Sequence, residues 1–93
     1  MDPVAQAASR IIKEQQAIIG PVALDQAKKV VGFTIVSADD VKVTGDKKKA
    51  LEGLVKQFEK LFGKASVQVC KDAFEPYSEK IAQTDIPDIL KNW

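Results

Sequence analysis

The apolar positions of residues 46–62 recur at helical spacing. Leu51, Leu54, Val55, Phe58, Leu61 and Phe62 fall at i, i+3, i+4, i+7, i+10 and i+11, and at about 100° per residue they gather on one face. The spacing predicts an amphipathic helix over about 46–62, with Asp46 as its N-cap and Gly63 supplying a left-handed residue at its end. Val4, Ala8, Ile11, Ile12, Ile18 and Ile19 form a similar stripe over about 3–19, which Asp2 caps and Pro3 opens. Gln15 interrupts that stripe at its centre. It is expected at the margin of a shallow core, the alternative being a polar contact across a helix interface that fixes register.

Each of these helices is followed at once by another apolar stripe. Pro21 opens a helix over about 21–31 carrying Leu24, Ala27, Val30 and Val31, so Gly20-Pro21 is a corner. Ser66, Val69, Cys70, Ala73, Phe74, Tyr77 and Ile81 continue the pattern over about 64–82, with a kink or break expected near Glu75 because Pro76 lies inside it. Between the two pairs, Phe33-Thr34-Ile35-Val36 and Val41-Lys42-Val43-Thr44 are rich in β-branched residues and flank the turn-like Ser37-Ala38-Asp39-Asp40. A short β-hairpin over about 33–44 is expected, with a single helical turn capped by Ser37 and Asp40 as the alternative. An isolated hairpin is marginal, so it must lie on the helices or pair with another chain's edge.

The two helical pairs are related in sequence. Ser9–Val31 laid on Glu52–Phe74, an offset of 43 residues, matches Lys13 with Lys56, Gly20 with Gly63 and Lys28 with Lys71. The apolar positions agree more widely, among them Ile11/Leu54, Ile18/Leu61, Ile19/Phe62 and Ala27/Cys70. The expected fold is therefore mainly α (α+β): two similar αα units, a hairpin between them and a C-terminal tail helix, in one domain spanning residues 1–93.

The tail Thr84–Trp93 has Pro87 at a helix start and then Ile89, Leu90 and Trp93. It is expected to pack across the bundle, since an unattached Ile–Leu–Trp cluster is a liability in water; the alternative makes Trp93, Leu90 and Ile89 a partner-binding segment.

Composition narrows the chemistry. The chain has no histidine and a single cysteine, Cys70, so no intramolecular disulfide and no nitrogen and sulfur shell for zinc can be assembled. Histidine-based acid–base catalysis and triads are excluded with it. Asp39, Asp40 and Asp46 lack the alternate spacing and closing glutamate of a calcium loop and read as turn and cap residues. Thr44-Gly45-Asp46-Lys47 lacks the Gly-Lys-Ser/Thr ending of a phosphate loop. Cys70 sits on an apolar stripe, where a small buried residue is wanted, and Tyr77, Glu75 and Glu79 have no convergent partners. No enzyme activity, cofactor or metal is expected.

Charge is balanced, 14 basic against 13 acidic side chains, which gives no global field toward nucleic acid or an anionic membrane. The start Met1-Asp2-Pro3 has no basic or long apolar segment, and no apolar run approaches the length that crosses a bilayer, so the cytoplasm is the expected compartment. One local feature runs the other way: Lys47, Lys48 and Lys49 lead into Lys56 and Lys60, and Lys49, Lys56 and Lys60 share the helix side opposite the apolar stripe. That ridge is the candidate phosphate contact of an alternative, nucleic-acid-binding reading. Glu52 and Glu59 flank it at pairing distance, and the chain holds one arginine, so a solvated surface face is expected instead.

Ile18-Ile-Gly-Pro-Val-Ala-Leu-Asp-Gln-Ala-Lys-Lys-Val30 resembles the "IGPIA" helix corner, followed by a basic apolar helix, of small helical accessory domains in bacterial signalling and regulatory proteins. The resemblance covers 13 of the 93 residues and implies a regulatory or scaffold role without catalysis. A chain this short buries only about 60–65% of the surface its unfolded form exposes, so a partner subunit would add useful burial. The expected function is a non-catalytic protein-interaction or regulatory module that self-associates as a homodimer or binds another protein.

Overall fold

A computed structural model of the chain describes residues 2–91. Its elements run α1 (Pro3–Ile19), α2 (Val22–Ala27), β1 (Phe33–Ser37), β2 (Asp40–Val43), α3 (Lys47–Phe62) and α4 (Lys64–Phe74), followed by 3₁₀ turns at Glu75–Lys80, Gln83–Asp85 and Asp88–Leu90. The fold is mainly helical with one antiparallel hairpin between the two helical pairs, as the sequence pattern implies.

Both long helices start where their caps direct. Asp2 accepts a hydrogen bond from the Val4 amide at 2.8 Å, and Asp46 accepts one from the Lys49 amide at 2.9 Å. Both end at a glycine: Gly20 at φ 78°, ψ −158° and Gly63 at φ 81°, ψ −172°. Each glycine amide closes its helix on the carbonyl four residues back, Gln16 and Glu59, and each glycine carbonyl then accepts the amide three residues on, from Ala23 and Ser66. The 43-residue similarity is thus a repeated backbone device.

The second member of each pair is shorter than its apolar stripe. α2 stops at Ala27 because the chain tightens into i→i−3 bonds, Lys29 to Gln26 and Val30 to Ala27, before turning at Gly32 (φ 101°). Val31, expected on the stripe, lies past that end and is 90% exposed. α4 stops at Phe74, ahead of Pro76, and the segment expected to remain helical to residue 82 is a 3₁₀ turn. The tail holds two further 3₁₀ turns in place of a regular helix.

These lengths decide the packing. At ~1.5 Å per residue the 17 residues of α1 span roughly 25 Å and the six of α2 roughly 9 Å, so α2 cannot cover its own partner. α4, from the other pair, covers the rest: α1 makes its broadest contact with α4, and α3 also packs on α4. Phe58, Phe74, Ile11, Ile12, Leu51 and Leu54 form the centre of a single core. Gln57 Nε2 donates to Gln26 Oε1 at 2.8 Å and ties α3 to α2.

The hairpin pairs Phe33 with Val43, Thr34 with Lys42 and Ile35 with Val41, with an irregularity between Ile35 and Ser37. Phe33 and Val41 are buried, and β2 lies along α1. Its turn is fastened there as well, since Ser9 Oγ donates to the Ala38 carbonyl and Lys13 pairs with Asp39. The hairpin therefore rests on the helices, and Ser9, a buried residue on α1, is one of its anchors.

Candidate functional site

Two of the three partner-binding candidates in the tail are placed by the structure. Leu90 is fully buried and Ile89 packs half-buried against the core, so this pair spends its apolar surface inside the chain and is not a free docking segment. Trp93, the third, lies outside the described residues.

The lysine ridge is divided by carboxylates. Lys47 pairs with Asp2 at 3.1 Å and Lys56 with Glu52 at 3.8 Å, while Lys48, Lys49 and Lys60 are exposed. The Asp2–Lys47 pair relieves the placement of a cation in the first turn of α3, which the helix dipole opposes. Partial burial pushes the Asp2 carboxyl up, but hydrogen bonds from Lys47 and the Val4 amide, with the Lys47 charge, outweigh it and hold the carboxyl below its ordinary value of 3.8. Asp2 and Lys47 also line a cleft of about 600 Å³ between the hairpin and the helix starts, beside Asp40 and Lys42. Its two carboxylates and two ammonium groups balance, which leaves no net charge to attract an ion.

The surface with an unbalanced character lies where α1 and α3 end. Ile18, Leu61 and Phe62, expected in the core, are 63%, 46% and 37% exposed, and Val22 at the start of α2 is 37% exposed. They occupy the last turns before Gly20 and Gly63 or, for Val22, the first position of α2, and those turns overhang the packed part of the bundle. Ile18, Ile19, Phe62, Ala65 and Val69 wall a groove of about 420 Å³ whose remaining lining residues are Gln15 and Ser66. The pairs Ile18/Leu61 and Ile19/Phe62 are equivalent in the 43-residue repeat, so both copies contribute the same overhanging positions.

Beneath the groove is the polar contact across α1 and α4. Gln15, 1% exposed, donates through Nε2 to the Ser66 carbonyl at 3.0 Å and to Cys70 Sγ at 3.4 Å. Its expected place at the core margin is therefore corrected: the α1–α4 packing closes over it, and the amide is accommodated because both its N–H groups find acceptors. Ser66 Oγ in turn donates to the Gly63 carbonyl at 2.7 Å. The signal available in the sequence was that Gln15 and Ser66 are the two polar residues inside otherwise apolar stripes. Burial pushes the Cys70 thiol up to about 11, against a smaller lowering by the Gln15 N–H, so Cys70 is an acceptor within the core. Among the described residues no group of three or more Cys, Asp or Glu side chains is placed to hold a metal ion, and no helix is long and apolar enough to cross a membrane.

No family model, curated protein or solved structure matches the chain.

Proposed function

We propose that the chain is a non-catalytic protein-interaction module of regulatory or scaffold type, which self-associates through the apolar face at the ends of α1 and α3. The observation that carries this reading is the meeting of exposed Ile18 and Phe62 in a groove also walled by Ile19, Ala65 and Val69. Contiguous apolar surface of this kind costs free energy in water and marks contact sites. It is the part of both amphipathic stripes that the single chain leaves uncovered, and a second chain would cover it. The resemblance of Ile18–Val30 to regulatory accessory domains points the same way.

Sedimentation velocity over a concentration series tests the reading, comparing the natural chain with Ile18→Ser/Phe62→Ser. Expected is concentration-dependent association of the natural chain and a monomeric double variant with an unchanged helical circular dichroism spectrum. A natural chain that stays monomeric to millimolar concentration contradicts self-association.

A further inference from the structure

We infer that the cleft between the outer edge of β2 and the starts of α1 and α3 takes an extended strand of another polypeptide, added antiparallel to β2 and alternating apolar with charged residues. This site is separate from the apolar face at the ends of α1 and α3 and does not rest on it.

The ladder of the hairpin fixes which main-chain groups face the cleft. Phe33 pairs with Val43 and Thr34 with Lys42, and beyond them the Thr44 amide donates to the Gly32 carbonyl at 2.8 Å. Bonded and non-bonded pairs alternate along an antiparallel ladder. Lys42 and Thr44 therefore turn their N–H and C=O groups toward β1, and Val41 and Val43 turn theirs away from it. Those outward groups of Val41 and Val43 bond to none of the described residues. Val41 is 2% exposed, and main-chain groups of residues so deep in a fold are almost always paired.

The cleft runs along this edge. Asp40, Val41, Lys42 and Val43 line it in succession, together with Ala5 of α1 and Lys47 of α3. Successive strand side chains point to opposite faces, so a cleft bordering four in a row lies beside the backbone and not over one face. Its volume of about 600 Å³ is that of a binding cleft, ~300–1,000 Å³.

Two donors and two acceptors in one row, repeated about 7 Å apart, are the complement of an extended backbone. A helix has spent its main-chain groups internally and cannot answer them. Side chains specify the strand further. Val41 points to the core and exposed Lys42 to the other face, so the added residues opposite Val41 and Val43 lie on the buried face and are apolar. Lys42 and Asp40 are exposed and form no ion pair with a described residue. Opposite charges across a strand pair stabilise it, so the residue facing Lys42 is acidic and the one facing Asp40 basic. Along the partner the order is apolar, acidic, apolar, basic. A second copy does not supply it. Its β2, paired Val41 to Val43, would set Lys42 against Lys42, and its β1, Phe33–Ser37, carries no charge and would repeat from chain to chain without closing.

The test titrates a capped valine–glutamate–valine–lysine peptide into the isotopically labelled natural chain, read by amide shifts and hydrogen exchange. Expected are saturable shifts at Ala5, Val41 and Val43 and slowed exchange of the Val41 and Val43 amides. Methylating both valine nitrogens, which face β2, should weaken binding about tenfold or more, and methylating the glutamate nitrogen, which points away, should change it less than about twofold. Lys42→Glu, at an exposed position, should weaken the peptide about threefold or more and favour one with lysine in place of glutamate. Absence of saturable shifts along β2, equal effects of the two methylations, or indifference to Lys42→Glu overturns the inference. Tighter binding of the reversed sequence overturns the antiparallel direction. Slowed exchange of Val41 and Val43 on concentrating the chain alone overturns the choice of another polypeptide over a second copy. Ile18→Ser/Phe62→Ser should bind the peptide as the natural chain does, so failure of this site and failure of the proposed self-association are told apart.

Discussion

Gly20 and Gly63, 43 residues apart, hold nearly the same backbone conformation, at φ 78°, ψ −158° and φ 81°, ψ −172°. This region of conformational space is essentially confined to glycine, and each residue ends one long helix and turns the chain directly into the next. A Cβ at either position would meet nothing within 4 Å, so the requirement is of the backbone alone. Gly20→Ala and Gly63→Ala should each destabilise the chain by about 1–3 kcal/mol, by similar amounts, as measured by urea unfolding.

Gly32 differs in kind. Besides its φ of 101°, a Cβ there would lie 2.8 Å from the Ala50 Cβ on α3, an atom with no room to move. Gly32→Ala should therefore cost more than either corner glycine, since overpacking adds to backbone strain. Equal stability losses in the three variants would show that the α2–β1 junction yields.

The Gln15 contact gives a prediction about the core. Gln15→Ala removes the bonds to the Ser66 carbonyl and Cys70 Sγ and opens a cavity between α1 and α4, and should cost about 2–4 kcal/mol. Gln15→Met preserves volume and should cost less than about 1.5 kcal/mol. Chemical denaturation of the two variants separates the polar contribution from the packing one.

Much of this was legible in the sequence, for physical reasons that mark where reading stops. The α1 and α3 starts were readable because Asp2, Pro3 and Asp46 act locally, through amides a few residues away. The hairpin was readable from Phe33–Val36 and Val41–Thr44 because β-branched runs around a turn act locally too. The groove was not, because Ile18 and Phe62 carry the same periodic signal as Ile11 and Phe58, and only the length of the covering helix decides which are buried. Gln15 illustrates the same limit: periodicity placed it on the apolar face, but the acceptors it meets come from α4, about fifty residues away.

Acid should act through Asp2. Its carboxyl sits below its ordinary value of 3.8 in the folded chain, so the stability it contributes is present above that value and is lost as pH falls through the lower folded one. The pair with Lys47 is about half exposed, which limits its worth after screening to about 1 kcal/mol or less. Asp2→Asn, which retains a capping oxygen, should be slightly less stable than the natural chain at neutral pH and equal to it in strong acid. Urea unfolding at the two pH values checks this.

Cys70 should behave as a core atom. With its thiol pushed up to about 11 and its side chain fully buried, alkylation at mildly alkaline pH should proceed only as fast as the chain opens, and at the ordinary thiol rate in denaturant. Rapid modification of the folded protein would show that α1 and α4 separate readily.

The most direct test of the central claim, that the overhanging turns of α1 and α3 form a protein-contact face, is a dilution series of amide nuclear magnetic resonance spectra. The account predicts concentration-dependent shifts confined to Ile18, Ile19, Val22, Leu61, Phe62, Ala65 and Val69, with Val36 on the hairpin and Lys48 on the basic ridge unmoved. Shifts that instead centre on Thr34–Val36 or Lys47–Lys49, or spectra that do not change with concentration, would contradict it.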